Sequence, residues 1–244
     1  MIQYIVAEWR KLHKVQLGLI GLLMLGISSV IGFGIYYMNR AVFIEDTQSI
    51  VMWGQLTFYY SQIFYPALLA IFVGLCFMPE FERTTLEMLQ ANHVSIKKLV
   101  VSKLLNLLLL LLPIQLLLVV FWLFALWLDQ ITVFSELVLH LKWIFLSLIG
   151  SLGILSLQAY LFVKTRNIAK SVAYAAMGAV GGFVLLFIGD RLPLFYPYSQ
   201  PMIALRSRAL VDFPRSELVL FVGINLLYCA VFYGLTVREL QKRP

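Results

Sequence analysis

Long apolar runs separated by short polar stretches dominate this chain. Six of them, at about 17–38, 56–78, 104–128, 143–163, 171–189 and 218–237, hold no Asp, Glu, Lys, Arg or His. Each has roughly the 20 residues needed to cross the hydrocarbon core. A helix is the form that satisfies its own backbone hydrogen bonds in lipid. The pattern predicts an all-α polytopic membrane protein with six transmembrane helices in a single transmembrane domain over residues 1–244.

The first run is preceded by a different pattern. Over residues 2–14, Ile2, Ile5, Val6, Trp9 and Leu12 recur at helical spacing, while Gln3, Glu8, Arg10, Lys11 and Lys14 take the other side. That periodicity predicts a helix lying in the headgroup plane, with Trp9 suited to the interface. The run that follows is long and lacks a small-residue cleavage site, so it reads as a retained span.

Proline and small residues modulate the spans. Pro66 and Pro113 predict bends in the second and third. Gly178-x-x-x-Gly182 in the fifth is a candidate packing face, because small residues let helices approach closely in lipid. Asn225 in the sixth suits a hydrogen bond to a neighbouring helix. Residues 190–215 carry Pro193, Pro197, Pro201 and Pro214 with Tyr196 and Tyr198. That stretch is too apolar to float free, and predicts short broken helices dipping into the outer leaflet. Tyr196, Tyr198, Arg206 and Arg208 are its candidate contacts for headgroups or substrate.

Composition supports the bilayer as solvent. The chain is 61% hydrophobic and 13% charged, with a mean hydropathy of +0.90, against about 25% charged residues in a soluble domain. With the N-terminus inside, thirteen Lys and Arg fall on inner segments and six on outer ones. By the positive-inside rule both termini are cytoplasmic. The net charge of +7 follows from this bias and from attraction to anionic lipid, so it requires no nucleic-acid partner.

Several kinds of chemistry are missing. The chain has no G-x-x-x-x-G-K-[ST] and no H-E-x-x-H. Cys76 and Cys229 lie in separate spans with no metal or redox spacing, and His13, His93 and His140 are scattered. Ser151 misses the nucleophile-elbow pattern. No catalytic residue, metal ligand or cofactor-binding residue emerges. The apolar runs also lack the ionisable groups that proton-coupled transporters use. If the protein moves something uphill, the energy would come from another polypeptide pushing on the cytoplasmic surface.

One cytoplasmic loop is long enough to receive it. Residues 79–103, PEFERTTLEMLQANHVSIKKLVVSK, place Phe81, Thr85, Leu86 and Leu89 on one side at helical spacing among Glu80, Glu82, Arg83 and Glu87. This predicts a short amphipathic surface helix held between two spans, followed by Asn92 and Ser95 as turn or cap residues. The loop resembles that of permease subunits of type-2 ABC exporters. Glu82 matches their acidic position, Thr85 the threonine, Leu86 and Leu89 the leucine turn, Ser95 the serine and Lys103 the lysine opening the third span. Thr84 stands where glycine is usual, His93 where proline is usual, and Ile96 with Lys97 where a basic residue is usual.

The resemblance extends over the N-terminal helix, the six spans and the Pro-rich outer segment. Size and the stretch LPLFYPYSQP are similar to the permeases of lantibiotic-immunity exporters. The resemblance implies a cytoplasmic coupling helix seated on a separate ATP-binding cassette subunit, present in two copies. Glu80, Glu82, Thr85, Leu86, Leu89, His93, Ser95 and Lys97 would form that contact, with the glutamates on the groove rim and the leucines anchored in it. A second permease chain, identical or homologous, would pack across Gly178 and Gly182. ATP and Mg would reside in the partner subunit, and the cargo would be an amphipathic peptide or lipophilic molecule expelled at a bacterial cell membrane. A non-transporting scaffold or sensor accessory is the alternative. An intramembrane enzyme, depending on a polar span residue such as Ser151 or Gln158, is a third.

Overall fold

The computed structural model describes residues 1–43, 47–82, 85–131, 136–209 and 211–242. Glu45, Asp46, Arg83, Thr84 and Arg243, which entered the charge and motif reading, lie outside the described residues. Helix α1 covers Ile2–Lys11 and α2 Lys14–Asn39. The second span is composite: α3 (Gln48–Tyr59), a π-helical turn (Tyr60–Phe64), α4 (Tyr65–Phe77) and a 3-10 turn (Met78–Phe81). A short α5 (Thr85–Ala91) precedes α6 (Ile96–Leu128), α7 (Leu137–Thr165) and α8 (Ile168–Ile188). Two 3-10 turns, Leu192–Phe195 and Pro197–Ser199, lead to α9 (Gln200–Ala204), and α10 (Arg215–Gln241) closes the chain. Six helical runs are long and apolar enough to cross a membrane: Lys14–Val42, Gln48–Phe81, Ile96–Leu128, Leu137–Thr165, Ile168–Ile188 and Arg215–Gln241. The protein is an all-α polytopic membrane protein, with no strand among the described residues.

Two spans begin earlier than the apolar runs indicate. The second extends back to Gln48 because Met52 and Trp53, in a stretch expected to be an outer loop, are fully buried. The fourth extends back to Leu137, past Lys142 and His140. The His140 ring is enclosed by Trp53, Trp122 and Trp143 at 4.4, 4.1 and 4.9 Å between centroids, and its Nδ1 lies 2.7 Å from the Glu136 carbonyl oxygen. A charge-free window misses these turns, since a polar side chain with protein partners does not end a helix.

The π-helical turn has a local cause. Pro66 lacks the N–H that would bond the Gln62 carbonyl, and its ring crowds that carbonyl. The ladder widens just ahead of it, with the Tyr65 N–H reaching the Tyr60 carbonyl. The Gln62 side chain is thereby turned inward, donating to the Ala179 carbonyl at 2.9 Å. At Pro113, by contrast, α6 continues as α-helix from Ile96 to Leu128.

Lipid is as apolar as leucine, so close packing and interhelical hydrogen bonds hold the bundle together. A Cβ on Gly32 would stand 2.6 Å from the Gln55 carbonyl oxygen, which sets the close approach of α2 and α3. Ser151 on α7 shares a 2.7 Å hydrogen bond with Tyr65 on α4. Gln158 on α7 accepts from Ser171 on α8 and donates to Tyr198, each at 2.8 Å. Asn225 on α10 donates to Gln200 on α9 at 2.8 Å. The second span is the most enclosed, with 67% of its most apolar window buried, against 28% for the first and fifth and 11% for the last. The outer spans therefore carry the surface open to lipid or to a second chain.

Candidate functional site

The ends of α1, α5 and α10 meet on one side of the bundle, here termed the N-terminal face. Gln90 donates to the Leu240 carbonyl at 3.2 Å, the Ser95 N–H donates to the Tyr4 hydroxyl at 3.2 Å, and Tyr233 donates to the Lys97 carbonyl at 3.3 Å. At the start of α5, the Thr85 hydroxyl donates to the Glu82 carbonyl at 2.8 Å. At its end, Val94 N–H bonds the Leu89 carbonyl and His93 N–H the Gln90 carbonyl, which is a Schellman closure. His93 holds φ 53° to make it. Proline, locked near −65°, could not stand there, so α5 is closed by a left-handed turn and not by the proline break of the resemblance. Ser95 then caps α6, accepting from the Lys98 N–H.

The residues expected to contact a partner divide between two environments. Glu82, Glu87, Met88, His93 and Lys97 are exposed, Met88 to 61%. Leu86 is buried, and Thr85, Leu89 and Ser95 are half-buried. Leu86 is buried in the chain's own core, which corrects its expected role as an anchor in a partner's groove, while Leu89 packs against that core and stays half-buried. Met88 is a large apolar side chain that α5 presents outward, with the small Ala91 exposed near the helix end.

Glu80 is also corrected. It is 2% exposed and faces inward to a cluster that sequence reasoning missed. The Lys103 ammonium donates to Glu8 at 2.5 Å and to the Cys76 carbonyl oxygen at 2.9 Å, and lies 2.9 Å from Glu80 as an ion pair. Lys11 adds contacts of 2.6 Å to Glu8 and 3.3 Å to Glu80. Two lysines and two glutamates thus join α1, the end of the second span and the start of α6 in a neutral, mostly buried group. Burial alone would raise the Glu8 carboxyl, but the Lys103 and Lys11 ammonium groups outweigh it and hold its pKa below 4.5. The signal was present as one acid in the polar side of α1 and one lysine at the mouth of the third run. Nothing in their spacing paired them. Their pairing also buries Glu8, which was expected on the polar side of α1, while Ile2 and Val6 of the expected apolar side are 77% and 44% exposed and Trp9 and Leu12 pack against the core.

Two further contacts anchor the platform. Phe81 meets the Phe162 ring of α7 at 6.0 Å, and the Arg166 guanidinium lies 5.1 Å from the Phe81 ring. The α5 loop is therefore braced against α1, α6, α7 and α10.

On the opposite face, residues 190–209 fold into the bundle rather than onto lipid. Trp53 donates to the Leu205 carbonyl at 2.7 Å, Gln200 to the Leu194 carbonyl at 2.7 Å, and α9 is buried throughout. Irregular backbone at membrane depth is tolerated where protein surrounds it. Tyr198 is buried with its hydroxyl accepting from Gln158, so it is not a surface contact. Arg206 takes φ 51° after α9, donates to the Val211 carbonyl at 2.9 Å and pairs with Glu217 at 2.6 Å. It is engaged within the chain, whereas Arg208 is exposed and Tyr196 half-buried. Arg206, Arg208, Asp190 and Glu217 line a cleft of ≈ 270 Å³ with Leu186 and Met202.

Gly178 and Gly182 face this same segment. A Cβ on Gly178 would lie 2.4 Å from the Tyr198 ring, and one on Gly182 2.6 Å from Gln62 Nε2 and 2.8 Å from Ser199 Oγ. The glycine face is thus filled within the chain, which corrects its assignment to a contact with a second permease. Ser151 and Gln158 are likewise committed to internal hydrogen bonds.

No curated protein and no solved structure matches the chain. Residues 4–184 match the family described as ABC-2 family transporter protein. The match runs from α1 through the braced α5 platform into the last turns of α8, and stops before the outer segment and α10. A family of this kind works in general with an ATP-binding cassette partner, and the braced platform between the second and third spans lies inside the matched region. The chain accordingly belongs to the ABC-2 transporter family, as a multi-pass membrane permease subunit of an ABC exporter.

Proposed function

We propose that this permease expels an amphipathic antimicrobial peptide of the lantibiotic or bacteriocin kind, or a similarly lipophilic molecule, at a bacterial cell membrane. In this reading the N-terminal face is cytoplasmic, as the bias of thirteen inner against six outer Lys and Arg favours. Two copies of a cytosolic ATP-binding subunit dock on the α5 platforms of two permease chains, identical or homologous. ATP and Mg bind in those subunits.

The observation that carries the reading is the bracing of α5. Glu82, Glu87 and Met88 point outward, while Leu86, Phe81 and the Lys103 cluster tie the helix to α1, α6 and α7. A push on so short a helix would otherwise be lost in loop motion. Here it passes into α4, and from α4 through the π-helical turn and Gln62 to α8. The cargo assignment draws support from the cleft on the opposite face, which sets charged side chains of both signs beside Leu186 and Met202. Arg208 and Asp190 line it with exposed side chains.

The test is purification in mild detergent from the native host, with mass spectrometry of stoichiometric partners. A cassette subunit and a permease pair are expected, and export of a labelled cationic amphipathic peptide should follow ATP hydrolysis. An intact preparation lacking any cassette subunit would overturn the coupling assignment. A coupled pair that ignores such peptides would overturn the cargo alone.

A further inference from the structure

We propose that the groove between the end of α7 and the start of α8 binds an anionic phospholipid from the leaflet at the N-terminal face. The groove measures ≈ 580 Å³, within the usual range of ligand sites. Its rim is cationic, formed by Lys164 and Lys170, with Arg166 in the turn between them. Its wall is apolar, formed by Leu161, Ala173 and Tyr174.

Three features select the occupant. First, the cations are uncompensated. Among the described residues, Lys164, Arg166 and Lys170 have no carboxylate at ion-pair distance, a property shared on the same face by Lys14, Lys97 and Lys98 but not by Lys11, Lys103 and Lys242. Second, the two lysines line the groove itself, with Lys164 5.7 Å from the Tyr160 ring, while Arg166, 5.1 Å from the Phe81 ring, adds a nearby charge from the turn. Third, the apolar wall continues down the span. From Ala173, the residues Met177, Val180, Val184 and Phe187 follow at helical spacing, exposed to 60, 63, 49 and 79%. A phosphate seated among the three cations would leave its acyl chain along this stripe. A soluble anion would use the rim alone and make no contact with the stripe. Basic pockets between membrane helices take anionic headgroups on this physical ground. The inference stands apart from the identity of the cargo.

Native mass spectrometry of the full-length protein in detergent, titrated with phosphatidylglycerol or phosphatidylcholine, tests it. Wild-type protein should retain phosphatidylglycerol preferentially. The triple variant K164Q/R166Q/K170Q should lose that preference, by roughly fivefold per cation and on the order of 100-fold together. The control K14Q/K97Q/K98Q, which removes three cations elsewhere on the face, should keep it. Ala173→Trp, which fills the groove and leaves every charge, should weaken retention at least tenfold. Equal loss in the control, or none in the triple variant, would overturn the site. So would an Ala173→Trp protein that binds normally, which would reduce the effect to surface charge. Displacement of the lipid by millimolar inorganic phosphate would identify a soluble-anion site instead.

Discussion

Replacing Lys103 with methionine tests the buried cluster directly. The side chains are similar in length and both pack well against Phe77, but the variant loses contacts of 2.5 and 2.9 Å to Glu8 and Glu80 and the bond to the Cys76 carbonyl. Among the described residues, Lys11, which is 43% exposed, is then the one cation beside two carboxylates of about 5 and 2% exposure. Breaking a buried pair on one side costs about 3–5 kcal/mol, because the remaining charge is left uncompensated. The cost should depend on pH with a definite sign. In wild-type protein the Glu8 pKa is depressed, so its stabilisation is complete above 4.5 and is lost as pH falls through the lower folded value. In the variant a buried carboxylate without its lysine has a raised pKa. Its penalty is present at high pH and is relieved as pH falls and the carboxyl protonates. Between pH 8 and pH 5, therefore, wild-type stability should be flat in this respect, while the variant recovers. The assay is denaturant unfolding of the purified protein in detergent, followed by tryptophan fluorescence at the two pH values. The triple variant Glu8→Leu, Glu80→Leu, Lys103→Met should recover most of the loss. A single variant within 1 kcal/mol of wild type at pH 8, or one less stable at pH 5 than at pH 8, would refute the account.

Three other outcomes are expected. Met88→Asp and Glu87→Lys, both on the exposed side of α5, should change stability by less than about 0.5 kcal/mol while reducing capture of the cassette subunit in a pull-down; Leu86→Asp should instead unfold the platform. Gly178→Val should cost at least about 1–3 kcal/mol by overpacking, because even its Cβ meets the Tyr198 ring at 2.4 Å, and size-exclusion profiles and thermal unfolding will show it. Asp212 accepts from Trp143 at 2.9 Å and pairs with Lys142; burial alone would raise its pKa, but these partners outweigh it and hold the pKa below 3.8. Its contribution should thus persist above pH 3.8 and fade below the lowered value, read as a Trp143 fluorescence change that Asp212→Asn removes.

The six spans were legible because lipid imposes a simple requirement, a charge-free run long enough to cross. The same requirement hid what lies at the run ends. His140 and Lys142 look like loop residues until three tryptophans and Asp212 are found around them. Glu8 looks like the polar side of a surface helix because helical periodicity ranks residues within one element and cannot see Lys103 approaching from another. Gly178 and Gly182 were legible as a close-packing face, but the partner was not, since a small-residue pattern does not distinguish Tyr198 of the same chain from a second helix bundle. In the α5 loop, position and amphipathicity could be read. The choice of which side faces out could not, because Phe81, Leu86 and Leu89 serve an internal brace equally well.

The Lys103 cluster also constrains the order in which the protein is made. Its acid on α1 and its lysine are 95 residues apart. When α1 leaves the ribosome it has no cation of α6 to meet, and Glu8 must stay hydrated at the membrane surface with Lys11 beside it. The second span then brings Glu80, which adds negative charge and favours no docking by itself. Only insertion of α6 supplies the lysine that neutralises both. The first helix to be synthesised is therefore locked after the third span has entered, and a chain arrested before Lys103 should expose α1 to added protease.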